Sequence, residues 1–162
     1  MHKPFPAPGH DHGQCVEDAL SRAEKACGTR GLRLTPLRRR VLEILAGSHA
    51  PVGAYEIVDK LAAAGEAVPA MSVYRALDFL VAEQLAHRIE SRNAFLACNS
   101  GHLRAEPAMF LLCEKCGTVA EMPAVAFARD VTKAAKAAGF EPKSSVVEVS
   151  GTCEACRKKA KR

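Results

Sequence analysis

Two cysteine pairs, Cys113-x2-Cys116 and Cys153-x2-Cys156, constrain this chain more than any other feature of it. Two thiolates separated by two residues can bind one tetrahedral ion, and a second such pair completes a four-coordinate shell. Gly117 directly follows the first pair, where tight backbone geometry favours glycine. The protein would fill all four coordination positions, which leaves none for water and marks the site as structural zinc. Each pair alone also fits a redox Cys-x-x-Cys motif, but neither reads as the start of a helix in a βαβ unit, as a thioredoxin-like motif requires. The chain has seven cysteines, an odd number, and its first residues carry prolines and histidines in place of an apolar signal core. Thiolate ligands in a reducing cytoplasm therefore fit better than a disulfide framework.

A chain of 162 residues, 48% hydrophobic but only 5% aromatic, can form two small domains. Domains well below about 100 residues bury a smaller share of their surface and often need a staple, a need the cysteines would meet. No stretch approaches the roughly 18 consecutive apolar residues of a membrane span. The formal net charge of +5 suits a polyanionic partner without proving one.

Apolar periodicity supplies the rest of the plan. Residues 1–14 read as a disordered tail, with His10 and His12 as at most weak metal binders. From Cys15 a helix shows Val16, Ala19, Leu20, Ala23, Ala26 and Cys27 at helical spacing, ended by Gly28 and Gly31. Cys15 and Cys27 are read as non-ligands, and His49 as a loop residue. Thr35-Pro36 predicts an N-cap and first helical position, opening a helix with Leu37, Val41, Leu42, Ile44 and Leu45 inward. A third helix spans about Gly53–Ala64 and a fourth Ala70–Glu83, the latter with Val73, Ala76, Leu77 and Leu80 on one face. Segments Leu85–Glu90 and Ala94–Cys98 around Ser91-Arg92-Asn93 predict a β-hairpin. Helices followed by a hairpin are the order of a winged helix-turn-helix, placed at residues 15–98.

A hinge at 99–107 leads to a second domain at 108–156 and a basic tail at 157–162. Strands are predicted at Ala108–Cys113, Thr118–Met122 and Ser144–Ser150, with an amphipathic helix over Pro123–Ala138. The fold class is α+β: a winged helix-turn-helix followed by a small α/β zinc-stapled dimerisation domain.

Arg33-Leu-Thr-Pro-Leu-Arg38, Ser72-Val-Tyr-Arg-Ala-Leu-Asp-Phe-Leu80 and the two cysteine pairs resemble the ferric uptake regulator family. Ala23-Glu-Lys-Ala-Cys27 and His87-Arg-Ile-Glu90 resemble its zinc uptake regulators in particular, and the similarity runs from about residue 17 to 156. The resemblance implies a homodimeric, metal-sensing repressor bound to a palindromic operator on double-stranded DNA.

A recognition helix needs small or polar residues towards the groove. Residues 70–78 meet that need, and Arg75 can donate two hydrogen bonds to guanine O6 and N7. The resemblance implies base contacts from Tyr55 and Arg75. Ser72 and Tyr74 suit phosphate contact or packing, a buried Tyr74 capping the core being an equal alternative. Arg38, Arg39 and Arg40, with Arg88 and Arg92 of the hairpin, are candidates for phosphate neutralisation, against the plainer reading of a solvated helix face.

The sensor candidates cluster about the hinge: His87, Cys98, His102 or Glu106, and Glu121. His87, Cys98 and Glu121 match ligand positions of the zinc regulators, whereas the link lacks the His-x-His that many relatives carry. His102 is preferred because imidazole is the better zinc donor, with Glu106 the alternative. A mixed S/N/O set suits zinc and makes iron or manganese less natural. The expectation is about two zinc ions per chain, one structural and one regulatory. Competing readings are an iron, manganese or peroxide sensor of the same family, a zinc-buffering protein, and a thiol oxidoreductase. No catalytic triad, phosphate-binding glycine loop or paired catalytic carboxylates are found, so an enzyme is not expected.

Overall fold

Thr35 and Pro36 open the helix on which the first half of the molecule is built. In the computed structural model, which describes residues 5, 10–99, 107–143 and 145–160, the Arg38 N–H donates to Thr35 Oγ1 at 3.4 Å and Pro36 is the first residue of α2 (Pro36–Ala46). The described chain falls into two compact units, one holding residues 10–99 and the other residues 107–160.

In the first unit, α1 (His12–Thr29) packs on α2, and α2 and α3 (Ala54–Ala63) pack on α4 (Ala70–Ala82). The faces foreseen from periodicity are the buried ones: Ala19, Ala23 and Cys27 of α1, Val41, Leu42 and Leu45 of α2, Ile57 and Leu61 of α3, and Val73, Ala76, Leu77 and Leu80 of α4. Strands β1 (Ala86–Ile89) and β2 (Ala94–Ala97) form the antiparallel wing, joined by a 3-10 turn over Glu90–Arg92. Asn93 closes that turn at φ 45, the left-handed region that asparagine tolerates better than most residues. Sequence periodicity did not reveal that Val52, between α2 and α3, bridges to Phe95 of β2 through two backbone hydrogen bonds of 2.8 and 2.9 Å. One bridging residue is too short to leave an alternating pattern.

The first helix also starts earlier than the apolar pattern suggested. Asp11 caps it, accepting from Gly13 N–H at 2.9 Å, so His12 begins α1 three positions ahead of Cys15. Polar residues of a first turn carry no apolar signal, and here the capping aspartate defines the boundary.

The second unit is a three-stranded sheet in the order β4-β3-β5, with β3 (Ala108–Cys113) central. Strand β4 (Val119–Pro123) pairs antiparallel with β3, and β5 (Val147–Gly151) pairs with it in parallel. A parallel neighbour needs a crossover, which α5 (Val125–Ala137) provides. Phe110, Leu112, Val119, Ala120 and Ala124 form the unit's small core. The apolar face foreseen for α5 is only half-buried at Ala128, Val131 and Ala135. The expected basic tail is in part a helix, α6 (Glu154–Lys159), begun by Cys153 as its N-cap. The second cysteine pair thus sits at the start of a short helix, but among the described residues no strand follows it, so this helix is not part of a βαβ unit. No described helix is long and apolar enough to cross a membrane.

Leu77 is wholly buried in the helical core, while Arg75 on the same helix is exposed. Leu77→Ala is expected to destabilise the first unit by about 2–5 kcal/mol in urea unfolding. Arg75→Ala should change stability by less than about 0.5 kcal/mol.

Candidate metal centres and nucleic-acid interface

Parallel pairing of β3 with β5 brings the two cysteine pairs together. The register sets Cys113, the last residue of β3, beside Gly151, the last of β5, so Cys153 follows two residues later at the same end of the sheet. Glu114 N–H donates to Gly151 O at 2.9 Å and holds the two turns in place. Gly117 takes φ 76 after the first pair, a conformation costly for any residue with a β-carbon. The sulfurs of Cys113, Cys116, Cys153 and Cys156 all lie within 4.8 Å of one another, and none is in a disulfide.

These four thiols are not equivalent. Burial opposes ionisation of Cys113, but the backbone N–H groups of Cys153, Cys116 and Lys115 donate towards its sulfur and bring its pKa down to about 6. One of these bonds, from Cys153 N–H, is 3.4 Å long. Cys116 is also lowered, chiefly by its hydrogen bond with Thr118. Cys156 is pushed up to about 12, first by its hydrogen bond with Cys153 and then by burial. Cys113 and Cys116 therefore give up their protons more easily than a free thiol, while Cys156 resists ionisation. A divalent cation removes that resistance, so the donor set fits a tetrahedral tetrathiolate ion.

A second donor pair lies on the wing of the first unit. His87 pairs with Leu96, and Cys98 N–H continues the ladder to Leu85 O at 3.0 Å. Side chains alternate along strands, so His87 and Cys98 share a face as diagonal neighbours. A ring nitrogen of His87 and the Cys98 sulfur lie within 4.8 Å of each other, and Cys98 is only 8% exposed. Arg22 of α1 donates to the Cys98 carbonyl at 2.8 Å, a tie that no sequence pattern announced. Glu121 stands on β4 of the second unit, opposite Phe110. His102 and Glu106 lie outside the described residues.

On the same unit, α3 and α4 present a polar surface. Tyr55, in the first turn of α3, is 69% exposed, and Met71 in the first turn of α4 is 63% exposed. Ser72 is half-exposed, its N–H donating to Pro69 O at 2.9 Å. Arg75 projects one turn further along and makes no ion pair among the described residues. Tyr74 is half-buried against the core, its ring edge-on to Tyr55 with centroids 6.4 Å apart. It therefore braces Tyr55.

The arginine run is more engaged than a solvated face would be. Arg38 donates to Arg33 O at 2.6 Å and lies over the Phe79 ring, 3.5 Å from its centroid. Arg39 pairs with Glu24 of α1 and with Glu43, and Arg40 with Glu43 and Glu66. In the wing turn Arg88 is held by Glu90 and Asn93, while Arg92 is exposed.

A winged helix with an open recognition surface, joined to a sheet unit bearing four clustered thiols, defines a DNA-binding regulator with metal sites. The sequence model of the ferric uptake regulator family matches residues 29–150, and the chain belongs to that family. It is 36% identical over 145 residues to the zinc uptake regulation protein of Escherichia coli (strain K12), an alignment covering 87% of this chain and 82% of that protein. Among solved structures it is similar to a zinc uptake regulator complexed with zinc and DNA, with a TM-score of 0.85 at 31% identity, covering 91% of this chain and 98% of that one. It is likewise similar to holo XcZur, with a TM-score of 0.80 at 38% identity, covering 88% and 99% of the two chains.

Cys113→Ser and Cys156→Ser each break the four-sulfur shell. Both variants are expected to lose the tightly held ion and most of the folded second unit, because binding free energies of about 10–16 kcal/mol for such sites are also folding free energy. Metal analysis and circular dichroism check this, and a normally folded variant with full metal content would exclude the four-cysteine site.

Proposed function

We propose that this protein is a zinc-dependent repressor of zinc-uptake genes, acting as a homodimer on a palindromic operator in the cytoplasm and catalysing no reaction. The observation that carries the proposal is the placement of His87 and Cys98 on the wing of the DNA-binding unit itself. A metal site there engages the part of the molecule that must be correctly oriented on DNA.

In this reading Cys113, Cys116, Cys153 and Cys156 hold the structural ion, while His87, Cys98, Glu121 and His102, with Glu106 as alternative to His102, hold the regulatory one. Zinc supplies a tetrahedral centre that accepts sulfur, nitrogen and oxygen donors together. His87 and Cys98 fix the wing's end of that set, and Arg22 keeps the Cys98 strand end seated against α1. Glu121, on β4 of the second unit, is the carboxylate of that set. A thiolate among the ligands favours zinc over iron or manganese, which sets this reading above an iron, manganese or peroxide sensor. The exposed Arg75 surface does the same against a zinc buffer that never meets DNA.

The dimer follows from the second unit. Its sheet leaves β5 at an edge, and Val125, Phe127, Phe140, Val146 and Val149 are each close to half exposed or more. A single small unit with that much uncovered apolar surface gains by burying it against a copy of itself.

On DNA, Arg75 and Tyr55 read bases and Ser72 supports them. Arg92 neutralises phosphate from the wing, and Arg38 and Arg39 do so as they exchange Arg33 O, Glu24 and Glu43 for the backbone. Arg75→Ala should weaken operator binding by about 1–3 kcal/mol and leave nonspecific binding nearly unchanged; equal losses on operator and random DNA would assign Arg75 to phosphate.

Cys98→Ser and His87→Ala test the sensor. Each variant should keep about one zinc ion at the four-cysteine site, stay folded and dimeric, and lose zinc-stimulated operator binding. Wild-type zinc dependence in Cys98→Ser, measured by fluorescence anisotropy across a zinc titration, would show that sensing resides elsewhere.

A further inference from the structure

A third cluster of metal-type donors lies in the first unit and shares no residue with either donor set above. Asp11 caps α1 so that His12 is its first residue, and Cys15 then falls three positions on, over the same face of the first turn. His10 lies just before the cap. His49 comes from the loop after α2, whose shape is set by Ala50 N–H donating to Ser48 Oγ at 3.0 Å. The four side chains bring their donor atoms within 4.8 Å of one another.

The spacing is that of a metal shell in need of little adjustment. His10 Nε2 is 3.2 Å from His49 Nε2 and 3.1 Å from Cys15 Sγ. Zinc bonds of about 2.0–2.1 Å to nitrogen and about 2.3 Å to sulfur place tetrahedral ligands roughly 3.3–3.6 Å apart. The imidazoles of His10, His12 and His49 form a near-equilateral triangle, with centroids 4.9, 4.7 and 4.8 Å apart.

Ordinary packing explains this arrangement poorly. Buried histidines of a structural kind give their ring nitrogens to carboxylates, carbonyls or hydroxyls. Here the nitrogens of three rings converge on one another and on a thiol, and among the described residues the buried His12 Nδ1 has no hydrogen-bond partner. Burial, with His12 and His10 alongside, also holds His49 below its ordinary pKa, in the neutral form that ligation requires.

We propose that His10, His12, Cys15 and His49 form a third zinc site, which fastens the start of α1 to the loop between α2 and α3. Three imidazoles and one thiolate make a complete protein shell of borderline-soft donors, suited to zinc rather than magnesium or calcium. The site braces the helix whose Arg22 holds the Cys98 carbonyl, and the loop whose Val52 bridges to the wing at Phe95. Filling it stiffens the DNA-binding unit, independently of whether His87 and Cys98 sense zinc.

Metal content settles the matter on the full chain without a histidine tag, equilibrated in a buffer of defined free zinc. The wild type should carry about one zinc per chain more than His12→Ala/His49→Ala and more than His10→Ala/His12→Ala, the latter leaving the loop untouched. Circular dichroism should show both variants folded, and Cys98→Ser should retain this ion. In the cobalt-substituted protein, Cys15→Ser should lower the thiolate-to-cobalt charge-transfer absorption. Equal zinc content in the wild type and both folded double variants, or an unchanged cobalt spectrum in Cys15→Ser, would overturn the site.

Discussion

Four sulfurs gathered at one end of a small sheet are the constraint on which the second unit depends. Its strands β3 and β5 are parallel and far apart in sequence, so closing β5 onto β3 costs chain entropy that a core as small as Phe110, Leu112, Val119, Ala120 and Ala124 offsets poorly. The cysteine turns sit where that closure is completed, with Glu114 and Gly151 joined beside them. Cys113 ionises readily because three backbone N–H groups are directed at it, and Cys156 resists because of its hydrogen bond with Cys153 and its burial. Such a set is unstable as four thiolates and well matched to one divalent cation, which links metal binding to the folding of this unit.

In the first unit the apolar helix faces do what the sulfurs do in the second. With Leu42, Leu45, Leu61, Leu77 and Leu80 wholly buried, it has a core that closes without a staple. That leaves its polar side chains free for other work. Glu24, Glu43 and Glu66 orient the arginines of α2, Tyr74 braces Tyr55, and the exposed Arg75 of α4 has no ion pair among the described residues. Pairs between exposed charges of this kind contribute little stability, about 0–1 kcal/mol each. Their consequence is positional, since arginines held by carboxylates can exchange them for phosphate at small net cost.

Much of this was legible in the sequence because it rests on local chemistry. Thr35-Pro36 and the leucine spacing of α2 and α4 fix those helices, and Cys-x-x-Cys spacing with Gly117 fixes the first thiolate turn. Features that depend on tertiary proximity left no periodic trace. The Val52–Phe95 bridge is one residue long, and the Arg22 tie to Cys98 joins residues far apart in the chain. The start of α1 was misplaced because proline, glycine and histidine before Cys15 read as a tail, whereas Asp11 caps a helix whose first turn faces His49. The short helix after Cys153 was hidden in a run of basic residues that has no apolar face.

We propose zinc at the wing as the switch on operator affinity, acting while the dimer persists. Operator binding by the full chain, titrated from chelated to saturating free zinc with metal content measured in parallel, tests it most directly. The account predicts a rise in affinity of about 5- to 150-fold as zinc is taken up beyond the four-cysteine ion, with no change in oligomeric state. Operator affinity already maximal when only the four-cysteine ion is bound, and flat through the remaining titration, would contradict it.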